Sequence, residues 1–115
     1  NFYEMAPEER AEIFENPGDH ADEMESSLLL YLCPELVEME QAGPGNRRGM
    51  EISGFGQPGV WTPRPWSSVH ADTGSGDPRK ATAEKGARYF ETVCARIAEL
   101  LCGLSEARRG ELPFV

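Results

Sequence analysis

Between Gln41 and Lys80 glycine and proline interrupt the chain so often that no helical or strand period survives for long. Gly43-Pro44-Gly45, Gly54-Phe55-Gly56, Pro58-Gly59, Pro63-Arg64-Pro65 and Gly74-Ser75-Gly76 are the interruptions. Regular structure must therefore come from the flanks, with short strands at most over 50–53 (from Met50) and 60–62 (from Val60). An irregular stretch this long in a chain of 115 residues reads as functional or interface loops. Phe55, Trp61 and Trp66 lie inside it and need a partner surface to cover them.

The flanks read as helices. Met5-Ala6-Pro7 with Glu8 and Glu9 opens the first, because proline suits the first turn and acids complement its positive end. Asn16-Pro17-Gly18 stops it. A second helix starts at Asp19, whose side chain can cap it, and runs to about Cys33, before Pro34. Met24, Leu28, Tyr31 and Leu32 form its buried stripe, Leu29 and Leu30 widen it, and Leu36 and Val37 pack beyond the turn. In the third helix Thr82 is the cap, and Phe90, Val93, Cys94, Ile97, Leu100 and Leu101 trace one apolar face down to Gly103. The apolar ending Leu112-Pro113-Phe114-Val115 is expected to dock. Helices without strands give a thin core, and a chain near this length hides only about two thirds of its unfolded surface even when well packed. The expectation is an incomplete domain that needs a second polypeptide or an N-terminal portion.

Charge narrows the partners. The chain carries 20 acids and 11 bases, net -9. Residues 1–40 hold 12 acids and one base, Arg10, whereas residues 41–115 hold 8 acids and 10 bases. Phosphate backbones and anionic lipid surfaces both require a basic face, so neither nucleic acid nor membrane is an expected partner. The longest apolar run, Leu28 to Cys33, is far short of the roughly 20 residues that cross a bilayer. No basic-then-apolar leader opens the chain, and Cys33, Cys94 and Cys102 form no CxxC, so a reduced, cytoplasmic setting is expected. The acidic third is either a solvated face or a stretch neutralised by metal ions.

Two histidines are present. His20 lies in Asp19-His20-Ala21-Asp22-Glu23-Met24-Glu25-Ser26-Ser27, at a predicted helix start. It is either a cap-side residue among ordinary first-turn acids or a proton carrier near neutral pH, with carboxylates able to hold a divalent cation. Five positions separate His20 from Glu25, so both reach one cavity only if the helix begins between them or His20 sits at its cap. His70, followed by Ala71-Asp72, reads as a loop surface residue or a substrate contact. Ser26, Ser27, Ser67 and Ser68 lack a nucleophile-elbow context, and Gly74-Ser75-Gly76 lacks the Lys-Ser or Lys-Thr of a phosphate loop. Cys94 and Cys102 read as core.

Two blocks carry a resemblance. Gly18-Asp19-His20-Ala21-Asp22-Glu23-Met24-Glu25-Ser26-Ser27, followed by Pro34-Glu35-Leu36-Val37, resembles the His-Ala-Gly-Glu-x-Glu-Thr-Ser helix of the creatininase (creatinine amidohydrolase) family. Gly76-Asp77-Pro78-Arg79-Lys80-Ala81-Thr82-Ala83-Glu84-Lys85-Gly86 resembles that family's Gly-x-Pro-x-x-Ala-Thr-x-Glu-Lys-Gly signature. The similarity spans about Asn16 to Gly103, in flavour nearest to members acting on oxidised inositol-type (inosose) sugars. It implies an α/β fold, residues 1–115 being the C-terminal part of one three-layer α/β/α domain, here mostly helices and Gly/Pro-rich loops. It also implies a dinuclear zinc or manganese site, hydrolysis of a cyclic amide or related ring, and homo-oligomers, often hexamers. By resemblance His20 is the catalytic histidine, shuttling a proton to the leaving group, and Glu25 faces the metals as a ligand. Nothing here matches the family's Glu-x-His pair, downstream Asp or Gly-His loop, so most metal ligands are expected outside this chain, which alone should be inactive. Creatinine-cleaving members carry a tryptophan shortly before the histidine; Asn16-Pro17-Gly18 in its place makes a different ring substrate the expectation. Trp61 and Trp66 either line the pocket or simply pack. The competing function is a non-catalytic helical module that docks on a partner chain.

Overall fold

The computed structural model describes residues 1–46, 48–49 and 51–112. A 3₁₀ turn, Phe2–Glu4, leads into helix α1, Pro7–Ile13. Pro7 stands in its first turn with Glu8 and Glu9, and the helix closes at Phe14, before the Asn16-Pro17-Gly18 stop. Helix α2 is Glu23–Leu32, α3 is the single turn Trp66–Val69, and α4 is Ala83–Glu106.

The start of α2 corrects the sequence reading. Asp22, not Asp19, is the cap, its Oδ1 accepting the Glu25 N–H at 2.9 Å. Thr82 caps α4 as expected, accepting the Lys85 N–H at 3.2 Å, but the helix runs past Gly103 to Glu106.

Helices α2 and α4 form the centre of the structure. Gly86 of α4 lies directly on the Ser27 carbonyl of α2, where no side chain fits. The Ser27 hydroxyl donates to Glu23 O at 2.6 Å and accepts from the Thr82 N–H at 3.2 Å, joining the middle of α2 to the start of α4. Glu23, fully buried, accepts backbone N–H bonds from Glu15 (3.0 Å) and Asn16 (2.8 Å) and pairs with Lys85 of α4. One carboxylate thus ties together the end of α1, α2 and α4. The apolar core around it is small: Ala6, Ile13, Phe14, Met24, Tyr89 and Val93, with Phe14 edge-on to Tyr89 at 5.4 Å.

The buried face of α2 is Glu23, Met24 and Ser27, so of the expected stripe only Met24 is fully covered. Leu29, Tyr31, Leu32, Leu100 and Leu101 are exposed, as are Cys94 and Cys102, which had been read as core. Among the described residues there is no strand: 51–53 and 60–62 are turns or extended coil, and Met50 lies outside the described residues. The described residues are mostly helices and loops, and the expected three α/β/α layers are not seen among them. Pro113 to Val115, the end of the apolar tail, also lie outside them. The radius of gyration is 17.8 Å, against about 13 Å for a compact domain of this length. No helix among the described residues is long and apolar enough to cross a membrane.

Candidate active site

The segment before α2 is fixed by backbone bonds rather than by helix. Gly18 N–H donates to Asp22 Oδ2 at 2.9 Å, and Asp19 N–H donates to Ser75 O at 2.8 Å. Ser75 N–H donates to His20 O at 2.8 Å, making an isolated antiparallel bridge between His20 and Ser75. Gly18 and Gly76 both press on the Cβ of buried Asp22, too close for any side chain of their own. Gly76 of Gly74-Ser75-Gly76 therefore serves close backbone packing, and Ser75 anchors His20. Ala21 takes a left-handed φ of 49°, turning the chain into the helix.

That turn brings His20 and Glu25 together, the helix beginning between them. His20 Nδ1 stands 3.5 Å from Glu25 Oε2. The same oxygen accepts the Ala21 N–H at 2.6 Å, and Oε1 accepts the Tyr3 phenol O–H. Burial, then the hydrogen bond to Glu25 and that carboxylate's charge, push the Tyr3 hydroxyl above its ordinary range, so it remains a donor. The His20 side chain is 54 % exposed.

The other side of His20 is aromatic. Trp66 meets it edge-to-face at 5.5 Å, and Trp66 Nε1–H donates to Thr73 O at 2.8 Å. Arg64 lies over the indole at 4.9 Å and pairs with Asp19. His70 stacks on Trp66 at 4.0 Å and is buried, 4 % exposed, which corrects its reading as a surface residue. Cavities flank the site: one of about 190 Å³ lined by Ala21, Ser26, Asp72 and Gly76, and one of about 700 Å³ lined by Asp19, Phe55, Trp61 and Arg64. Trp61 itself is 83 % exposed.

Among the described residues no group of three or more His, Cys, Asp or Glu could hold an ion. Glu25, the expected ligand, has both oxygens engaged by protein donors. Asp22 and Glu23 are buried and bonded to backbone N–H groups. Tyr3, Asp22, Glu23 and Lys85 were assigned no role from sequence, although Lys85 stands in the quoted Glu84-Lys85-Gly86 signature.

The family model described as creatinine amidohydrolase matches residues 2–101. A crystal structure of a provisionally named creatinine amidohydrolase from Bacteroides fragilis NCTC 9343 is similar, with a TM-score of 0.85 and 34% identity. The match covers 95% of this chain and 43% of that one, so this chain spans less than half of that structure's length. No curated protein matches.

Proposed function

The chain belongs to the creatininase family, and from that premise we propose that it is the C-terminal part of a hydrolase that opens a cyclic amide or related ring. The observation that carries this reading is the His20–Glu25 pair, formed by the motif that resembles the family's, with its chain neighbours Ala21 and Ser26 lining one cavity and Asp19 another. Family membership favours it over a non-catalytic docking module.

His20 is the proton carrier. When water opens a cyclic amide, the carbonyl carbon gains a hydroxyl, the C–N bond breaks, and the nitrogen leaves with a proton. Neutral Nε2 takes that proton from the adding water and delivers it to the departing nitrogen, returning to its starting form. The carboxylate beside Nδ1 stabilises the imidazolium between the two transfers. Trp66 limits where the ring can swing.

The divalent cations, zinc or manganese, are proposed to be held chiefly by residues outside this chain, in an N-terminal half or a separate chain. The small core and exposed Leu29, Leu32, Leu100 and Leu101 support such a partner, and homo-oligomers follow the family. The substrate is proposed to be other than creatinine, an inosose-type sugar being the first candidate; there water adds to a ring carbonyl, the C–C bond beside it breaks, and His20 delivers the proton to the departing carbon. Where creatinine-cleaving members carry a tryptophan, this chain has a strap whose Asn16 and Gly18 N–H groups bond to Glu23 and Asp22. A cytoplasmic location is proposed with this reading.

Calorimetric titration of the chain with zinc or manganese chloride tests the ligand assignment. Binding weaker than micromolar is expected; sub-micromolar binding would contradict it. With the remainder of the domain supplied, metal-dependent ring opening on a panel of cyclic amides and inososes is expected, and its absence across the panel overturns the reading.

A further inference from the structure

We infer that Tyr3 is a positioning residue for the proton-transfer pair: its phenol O–H holds Glu25 so that Oε2 faces His20 Nδ1, committing that carboxylate to the imidazole instead of to a metal ion. The inference rests on the proposed role of His20.

Three observations carry it. Glu25 is divided between two donors on different elements, Tyr3 O–H at Oε1 and Ala21 N–H at Oε2, so its plane cannot turn without breaking one of them. The oxygen nearer His20 is the one held by Ala21, the histidine's own chain neighbour. A carboxylate has about four lone-pair sites, so with Tyr3 and Ala21 served Oε2 keeps acceptor capacity, and His20 Nδ1 stands 3.5 Å from it.

Tyr3 itself is braced. Its ring packs on Phe2 at 4.5 Å and under the Arg10 guanidinium at 5.1 Å. Its turn is pinned to α4, where Tyr89 O–H donates to Phe2 O at 3.3 Å and Arg96 donates to Met5 O at 2.7 Å. Helix α4, which carries no group of the pair, thus fixes the pair's geometry through the 3₁₀ turn. The consequence for His20 is a defined tautomer, because a carboxylate 3.5 Å from Nδ1 favours the form with the hydrogen on that nitrogen. Nδ1 carries the hydrogen toward Glu25, and Nε2 presents the lone pair that the reaction uses.

With only His20 and His70 to assign, side-chain ¹⁵N NMR of the protein at about pH 8, where an ordinary imidazole is neutral, reads this directly. In the unmodified protein His20 is expected as the Nδ1–H tautomer; finding Nε2–H overturns the inference without any variant. Tyr3→Phe keeps the packed ring and is expected to shift His20 to a mixture of both tautomers; an unchanged tautomer overturns it. Metal content measured by mass spectrometry on the assembled hydrolase is expected to be the same for Glu25→Gln and the parent. Loss of one equivalent would make Glu25 a ligand and refute the assignment. None of these readouts needs turnover, so their failure leaves the proton-carrier role of His20 standing, and that role fails separately, on rates.

Discussion

Replacing Gly86 by alanine tests the α2–α4 contact with a prediction of opposite sign to the usual one. In a helix interior alanine is favoured over glycine by about 1 kcal/mol. At Gly86 an added Cβ would fall 1.9 Å from Ser27 O and 3.0 Å from Leu28 N, both backbone atoms that no rotamer change can move. Relief requires the helices to separate by more than about 1 Å, which loosens Met24 against Tyr89 and the Ser27 link to Thr82. Overpacking of this kind costs typically 1–3 kcal/mol or more. Taking the upper end and subtracting the propensity gain leaves a net loss of about 2 kcal/mol, roughly 8 °C in midpoint for a chain of this size. Gly103→Ala, in the same helix with nothing near its Cβ, is the control and is expected to gain up to about 1 kcal/mol. Urea midpoints for the two variants decide the matter. Equal stabilisation by both would refute the close approach of α2 and α4.

The remaining predictions concern charge and capping. Lys85→Met should destabilise by about 3 kcal/mol, because it leaves the buried Glu23 carboxylate without its cation, and adding Glu23→Gln should recover part of the loss in a double-mutant cycle. Asp22→Ala should cost about 2 kcal/mol in urea unfolding, since Asp22 both caps α2 and accepts the Gly18 N–H. Tyr3 is held above its ordinary value of 10.0, so the unfolded chain releases that proton first; stability from this group is whole below pH 10 and falls as pH rises beyond it. Urea midpoints between pH 8 and 11 should therefore decline, and Tyr3→Phe should flatten part of the slope.

What the sequence discloses follows the range of the forces involved. Helix α4 was legible because Thr82 supplies a local cap and the apolar period repeats down the helix. The start of α2 was not, because Asp19 and Asp22 are equally good caps by type. The choice falls to Asp22 because Ser75, more than fifty residues away, takes up the Asp19 and His20 backbone and leaves the helix to begin at Glu23. Glu23 reads as an ordinary first-turn acid, and only the fold brings it Lys85 and the two backbone donors. Its burial displaced the leucines expected inside. Val60 to Thr62 has strand-forming residues but no neighbouring strand among the described residues with which to pair. His20 and Glu25 were singled out by motif, and the helix start between them brings the two side chains within 3.5 Å. Tyr3 was invisible, since a tyrosine 22 residues upstream of Glu25 carries no local signal.

Turnover of the His20→Ala variant, compared with the parent in assembled hydrolase of equal metal content, reports most directly on whether this imidazole moves the proton. The account predicts a fall of roughly 10²–10⁴-fold with metal retained. Turnover equal to the parent's would contradict it.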